Sequence, residues 1–89
     1  MAEADDPRAL ALFALATTLA DLRRAQRFLD LTGIGTDELR ARAESAELLE
    51  ALIDFLAAHE PDLLAVAKEM GVEPGVLVAV RHRLRDEDH

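Results

Sequence analysis

Apolar residues recur along this chain at intervals of three and four, the spacing that places them on one face of an α-helix. Residues that cap or end helices separate these stretches: Asp6-Pro7, Asp21, Gly33, Thr36, Ser45, Pro61, Gly71 and Pro74. The pattern predicts helices over about residues 7–20, 22–32, 37–43, 46–59, 61–70 and 74–84. No segment alternates apolar and polar residues, so we expect an all-α fold, a compact bundle of about five to six short helices.

The first predicted helix is apolar around almost its whole circumference. It contains the longest apolar stretch of the chain, Ala9 to Ala20, which is interrupted by two threonines. A helix of this kind is buried on most sides, so we expect it at the centre of the domain or at a surface for self-association. At about twelve residues the stretch is shorter than the ~20 needed to span a bilayer.

The other helices are expected to be two-sided. In the second, Leu22, Ala25, Phe28, Leu29 and Leu31 form the predicted inward stripe, and three arginines form the outer face. The stripes of the later helices predict the rest of the core: Leu48, Leu49, Leu52, Ile53, Phe55, Leu56, Leu63, Leu64, Val66, Ala67, Met70, Val76, Leu77, Val80 and Leu84.

The last two helices match the pattern of a helix-turn-helix. That motif needs a small residue within its first helix, a glycine four positions later, and apolar residues that pack the second helix back onto the first. Ala67, Gly71, Val72, Leu77 and Val80 meet these needs. We therefore predict that helices five and six form a helix-turn-helix-like hairpin.

Reading DNA through this hairpin is a separate question, and the side chains argue against it. The positions that would face a groove are Glu73, Pro74, Gly75, Val78, Ala79 and His82. None of them is an arginine, asparagine or glutamine that could bond a base edge, and a glutamate repels phosphate. Packing alone is the simpler interpretation of the hairpin.

Composition and charge describe one small acidic domain. The 89 residues suit a single helical domain, with an ordered core at about 6–85 and a frayed acidic tail at 86–89. Hydrophobic residues make up 51% of the chain but aromatic residues only 3%, so leucine, alanine and valine must build the core. The net charge of −8 repels phosphate backbones and anionic lipids, which disfavours nucleic acid and membranes as partners.

The expected compartment is the cytoplasm. The chain has no cysteine, which rules out disulfides and thiolate metal sites. Its first residues, Met1 to Pro7, are acidic, whereas a secretory signal begins with positive charge.

Two basic clusters stand out from the acidic background, and they are the candidate interaction surface: Arg23, Arg24 and Arg27 in the second helix, and Arg81, Arg83 and Arg85 at the end of the sixth. Either cluster could bind phosphate or an acidic partner. The simpler alternative is a solvated helix face that pairs with nearby acids. The chain has no tyrosine or tryptophan for stacking on bases, which weakens a role in single-strand binding.

No pattern indicates metal binding, a cofactor or catalysis. His59, Glu60 and Asp62 are close in sequence, but a helix break at Pro61 lies among them, and no HExxH motif is present. The candidate nucleophiles are Thr17, Thr18, Thr32, Thr36 and Ser45. The spacing places no general base beside any of them, and no glycine-rich phosphate loop follows a strand. We therefore expect a protein that is not an enzyme, with no evident small-molecule substrate.

Four short motifs together resemble the family called domain of unknown function 3572. They are Arg27-Phe28-Leu29 with Leu31-Thr32-Gly33, Glu38-Leu39-Arg40-Ala41-Arg42-Ala43, Ile53-Asp54-Phe55-Leu56, and Gly71-Val72-Glu73-Pro74. The resemblance covers roughly residues 8–85, and its one departure is Glu38, where the family pattern has aspartate. It implies a small, all-helical, cytoplasmic protein of bacteria and brings no catalytic residues.

These observations predict a non-catalytic protein-interaction module, adaptor or regulatory, with a protein partner or self-association. The reason is that helix one carries more apolar surface than a domain of this length needs to bury. The alternative is a nucleic-acid-associated factor that uses the helix-turn-helix-like hairpin and its terminal arginines.

Overall fold

A computed structural model describes residues 6–87, and within this range the chain forms six α-helices and no strand. The helices are α1 (Pro7–Leu19), α2 (Leu22–Thr32), α3 (Thr36–Arg42), α4 (Ala46–Ala58), α5 (Glu60–Met70) and α6 (Pro74–Glu87). The all-α bundle predicted from the sequence is confirmed. Helix α6 continues three residues past its predicted end, through Asp86 and Glu87 of the predicted tail, and residues 88–89 lie outside the described range.

Side-chain caps fix three of the helix starts. The carboxylate of Asp6 accepts a hydrogen bond from the Arg8 amide (3.0 Å), and that of Asp21 accepts from the amide of Arg23 (2.9 Å). Ser45 Oγ accepts from the Leu48 amide (3.1 Å). Each cap satisfies an amide that has no carbonyl partner within the first helical turn. The predicted cap of α3 is wrong: Thr36 is the first helical residue, and Gly35 precedes it without a side-chain bond.

Two glycines end helices in the left-handed conformation. Gly33 closes α2 with φ 74°, and Gly71 closes α5 with φ 77°, a backbone state that other residues adopt at a cost. After Gly71 the amide of Val72 bonds back to the carbonyl of Ala67 (3.0 Å), which reverses the chain toward α6. The predicted hairpin of α5 and α6 is present, although α6 packs mainly on α4 and α1.

Helix α1 lies at the centre of the bundle, where it contacts α2, α4, α5 and α6. The core beneath it comes mainly from α4 and α6, which make the most extensive helix pair. Its fully buried large side chains are Phe28, Leu48, Leu49, Leu52, Ile53, Leu56, Val66, Leu77, Val80 and Leu84. Helix α3 lies at the edge and has no buried residue. No helix within residues 6–87 is both long enough and apolar enough to cross a bilayer.

The predicted core is wrong at four positions. Leu22, Leu31, Leu64 and Val76 are exposed, Leu22 by 86%. In α2 the buried residues are Arg24 and Phe28, which are four residues apart and share one face, so Leu22 points to solvent. Hydropathy predicts that an arginine is exposed, but here Arg24 is buried and its charge is compensated by an ion pair with Glu69 of α5.

Candidate functional site

One face of α1 is turned to solvent and is wholly apolar. Ala9, Phe13, Ala16 and Ala20 are exposed and follow one another at intervals of four, three and four, which places them in a single stripe. Phe13 is 51% exposed at the middle of this stripe. We call these four residues the outer α1 face.

The polar side chains of α1 do not interrupt the outer α1 face. The hydroxyl of Thr17 donates to the carbonyl of Phe13 (2.8 Å), and that of Thr18 donates to the carbonyl of Ala14 (2.8 Å). Both threonines are buried and satisfied by their own helix. The opposite side of α1 packs into the bundle through Ala11, Ala14 and Leu15. Helix α1 therefore has two apolar sides, and the fold covers one of them.

The three phenylalanines of the chain are used in two different ways. Phe28 and Phe55 meet edge to face in the core, with ring centroids 5.5 Å apart. Phe13 lies outside, although burying such a side chain fully is worth roughly 1.5–3 kcal/mol. Phe13 is thus a large apolar side chain that folding leaves half in solvent.

An apolar groove adjoins the outer α1 face. It lies between α1 and α3, has a volume of about 340 Å³, and is lined by Leu15, Leu19, Thr36, Leu39, Arg40 and Ala43. Leu12 and Leu19, half-buried on α1, lie between the exposed stripe and this groove. The apolar surface thus extends sideways from Phe13 toward α3.

Four of the six arginines proposed as an interaction surface are bound within the fold. Arg24 pairs with Glu69 (3.1 Å) and Arg27 with Asp62 (3.2 Å), which joins α2 to α5. The second cluster joins α6 to α4, through contacts of Arg81 with Asp54 and of Arg85 with Glu50. In each cluster, two arginines form ion pairs that connect two antiparallel helices.

The two remaining arginines, Arg23 and Arg83, are exposed and make no ion pair among the side chains that the structure describes, those of residues 6–86. They lie on different helices, α2 and α6, so neither cluster keeps more than one unpaired guanidinium. The simpler interpretation, a helix face that pairs with nearby acids, accounts for the other four.

The exposed side of the α5–α6 hairpin has the side chains expected from the sequence. Gly75, Val78, Ala79 and His82 face solvent on α6, while Leu77, Val80 and Leu84 point inward. None of these four exposed residues is an arginine that could bond a base edge with a forked pair of hydrogen bonds.

A second cleft, between α2 and α4, was not anticipated from the sequence. It has a volume of about 400 Å³ and is lined by Leu31, Thr32, Ala51, Asp54, Phe55 and His59. Its polar groups already have partners: Nδ1 of His59 donates to the carbonyl of Phe55 (2.7 Å), and Asp54 contacts Arg81. In the described range, no three histidine or carboxylate side chains meet as a group that could hold a metal ion.

The hydrogen bonds that cap the start of α2 affect the pKa of Asp21. A hydrogen bond from the Arg24 amide, with help from the guanidinium charges of Arg24 and Arg23, holds the pKa of Asp21 below its ordinary value of 3.8. A lowered folded-state pKa adds stability above the ordinary pKa, and that stability is lost as the pH falls through the folded-state value.

We therefore expect the pH dependence of stability to change in Asp21→Asn. Asparagine caps a helix about as well as aspartate but carries no charge. The wild type should melt at a higher temperature than the variant at pH 7, and the difference should shrink as the pH falls below 3.8. Thermal unfolding followed by circular dichroism between pH 7 and pH 2 measures it. A difference that stays constant over this range would show that the charge of Asp21 contributes nothing.

The outer α1 face could have been found in the sequence by asking which apolar stripe of helix one is left over. One stripe of that helix, Ala11, Ala14, Leu15 and Thr18, is the larger contributor to the bundle core. The stripe of Ala9, Phe13, Ala16 and Ala20 lies on the other side, and its 4-3-4 spacing is that of a helix seam. Both stripes are apolar, so the sequence alone does not decide which of them is buried.

Comparison with known proteins gives one result. No curated protein and no solved structure matches the chain significantly. A family model described as a protein of unknown function, DUF3572, matches residues 4–87, nearly the whole chain. The resemblance seen in the four sequence motifs is confirmed, and the chain belongs to the DUF3572 family.

Proposed function

We propose that this protein is a non-catalytic, cytoplasmic protein-interaction module that binds its partner through the outer α1 face. The observation that carries the proposal is the exposure of Phe13 in an uncharged stripe of alanines. Charged residues make up 31% of the chain, yet none lies between Ala9 and Ala20. Depletion of charge around an aromatic anchor is the composition of an interface core.

The geometry of the stripe suits another helix. Alanines on both sides of Phe13 allow a partner backbone to approach closely, and the phenyl ring supplies the apolar area. The groove beside α3 can accept side chains from a partner that extends past the stripe. A partner with an apolar helix face therefore fits this surface better than a charged ligand does.

The hydroxyl groups support a role without catalysis. Thr17, Thr18 and Thr32 each donate to a backbone carbonyl four residues earlier, and Ser45 caps α4. A nucleophile needs a neighbouring base instead. The absence of cysteine is compatible with a reducing compartment, which supports the cytoplasmic assignment.

A nucleic-acid-associated role has less support. The terminal arginines would be its phosphate contacts; Arg83 is exposed, but Arg81 and Arg85 both pair with acids of α4. Freeing these two arginines would break their ion pairs with α4. The chain's net charge of −8 also repels the phosphate backbone, most strongly at low salt.

Phe13→Glu is expected to weaken partner binding about tenfold or more, because it removes the aromatic anchor and buries a charge at the same place. A photo-crosslinking residue at Ala16 reports on the outer α1 face, and one at exposed Ala57 on α4 is the reference position. Expressed in the native cell, the Ala16 probe should give adducts of defined mass that the Ala57 probe does not give. Phe13→Glu should abolish them.

Leu64→Glu is the matched control, since Leu64 on α5 is 49% exposed, close to the value for Phe13. This variant should keep the Ala16 adducts, and both variants should melt near the wild-type temperature, as surface changes usually do. The proposal is overturned if the two probe positions give the same adducts, or if Phe13→Glu leaves them unchanged in a folded protein.

A further inference from the structure

We infer that the occupant of the outer α1 face is a second copy of this chain, with the two α1 helices packed antiparallel about a twofold axis. The inference rests on the proposed function, because it names the partner for the same surface. Three features of α1 carry it: the order of large and small residues, the charges at the two ends, and the lack of charge between them.

The order of side-chain sizes is self-complementary in the antiparallel direction. When Ala9 faces Ala20 of the second copy, Phe13 faces the second copy's Ala16, and the twofold axis repeats each contact. Each phenyl ring then covers a methyl group of the other helix, so both copies gain burial without a clash. In a parallel pair Phe13 would face its own equivalent, and the alanines would face alanines across a gap.

The charges at the two ends of α1 complement one another in the same register. In this register Arg8, whose Nη1 also donates to the carbonyl of Glu44, stands opposite the second copy's Asp21. Asp21 is exposed, and Arg8 is half-buried. A parallel pair would bring Asp6 to Asp6 and Asp21 to Asp21, which is repulsive.

Two chains of net charge −8 repel each other over most approaches. The stretch between Ala9 and Ala20 contains no charge, so it offers the approach with the least repulsion. The uncharged stretch favours a second copy over a basic partner protein. A basic protein would be attracted to the many acidic sites elsewhere on the surface, and not to this stretch in particular.

The expected dimer is weak. One stripe of a 13-residue helix, with the edge formed by Leu12 and Leu19, gives an interface at or below the ~1,200 Å² of transient complexes. We expect a dissociation constant on the order of 10 μM, so the protein should shift between monomer and dimer with concentration.

Sedimentation velocity of the whole chain at increasing concentration tests the association. The wild type should shift from 9.7 kDa toward twice that mass, Leu64→Glu should do the same, and Phe13→Glu should remain at 9.7 kDa. Circular dichroism confirms that both variants are folded. A wild type that keeps the monomer mass up to about 50 times the expected dissociation constant overturns the inference.

Single cysteines test the direction, because the natural chain has none. Ala9→Cys and Ala20→Cys lie eleven residues apart, about 16 Å along the helix. Under mild oxidation, a mixture of the two should form the mixed disulfide in preference to either symmetric one, with a bias of about tenfold. Rapid symmetric disulfides from each variant alone would overturn the antiparallel arrangement.

The outcomes separate this inference from the proposed function. A strict monomer whose Ala16 probe still captures another protein, in a manner that Phe13→Glu abolishes, overturns the second copy and leaves the interaction module standing. A strict monomer with no position-dependent adduct overturns both.

Discussion

Replacing Phe28 with alanine is expected to lower the free energy of unfolding by about 3–5 kcal/mol. Phe28 is fully buried, and its ring meets the edge of Phe55 at 5.5 Å. It is the main apolar side chain through which α2 enters the core, so its removal leaves a cavity as well as lost contact area. A domain of this size has a total stability of roughly 5–15 kcal/mol, so much of it would be lost. Urea denaturation followed by circular dichroism measures the change.

Phe13→Ala is the matched control for Phe28→Ala, since it removes the same side chain from the outer α1 face. We expect it to cost less than about 1 kcal/mol, as the ring is half in solvent already. Equal losses for the two variants would contradict the division of the phenylalanines between core and surface. The comparison should be made at low protein concentration, where self-association adds little.

Removing Glu69 is expected to have the second-largest effect, because it strands a buried charge. Arg24 is only 6% exposed, and its Nη2 donates to both carboxylate oxygens of Glu69, at 3.1 and 3.3 Å. In Glu69→Ala the guanidinium keeps one more distant carboxylate, that of Asp21 at 3.9 Å. A buried donor left without its partner costs about 1–3 kcal/mol. Denaturation in urea at pH 7 measures the loss.

Two further variants locate the cause of that loss. Glu38→Ala breaks an exposed pair with Arg42, so it should cost about 0.5 kcal/mol or less. Arg24→Met removes the charge itself, together with an Nε that has no hydrogen-bond partner within residues 6–87. We expect this variant to be about as stable as the wild type or more so, since an apolar side chain of similar length replaces the pair. A large loss in Arg24→Met would mean that the ion pair is itself a net source of stability.

The two sides of α1 contribute unequally to the fold, so a binding surface could evolve on one of them with little loss of stability. The inner side of the helix supplies packing for four other helices, while the outer α1 face contributes little to the fold. Substitutions at Ala9, Phe13, Ala16 and Ala20 can therefore change this surface without unfolding the domain. The arginine clusters lack this freedom, because four of the six arginines hold helices together.

Much of the fold could be predicted from the sequence because its determinants are local. Asp6, Asp21 and Ser45 cap the helices that follow them, and Gly33 and Gly71 end helices in the conformation that glycine adopts most readily. These signals act within a few residues, so the number and order of the helices follow from the sequence. The stripe in α4 was also clear, since its large apolar residues lie together on one face.

The tertiary structure alone decided which apolar residues stay outside. Leu22 and Leu64 have the same hydropathy as the buried leucines, but the rotation of α2 and α5 in the bundle turns them to solvent. On the buried side of α2, Arg24 pairs with Glu69, 45 residues later in the chain, and no local pattern contains such a contact. Helix α1 shows the same limit: both of its sides are apolar, and only packing against α4 and α6 selected the side that is buried. The sequence determined that this helix has more apolar surface than the core buries. The arrangement of its neighbours determined that the exposed part of this surface is the one around Phe13. The physical reason is that burial depends on what packs against a side chain as well as on its hydropathy.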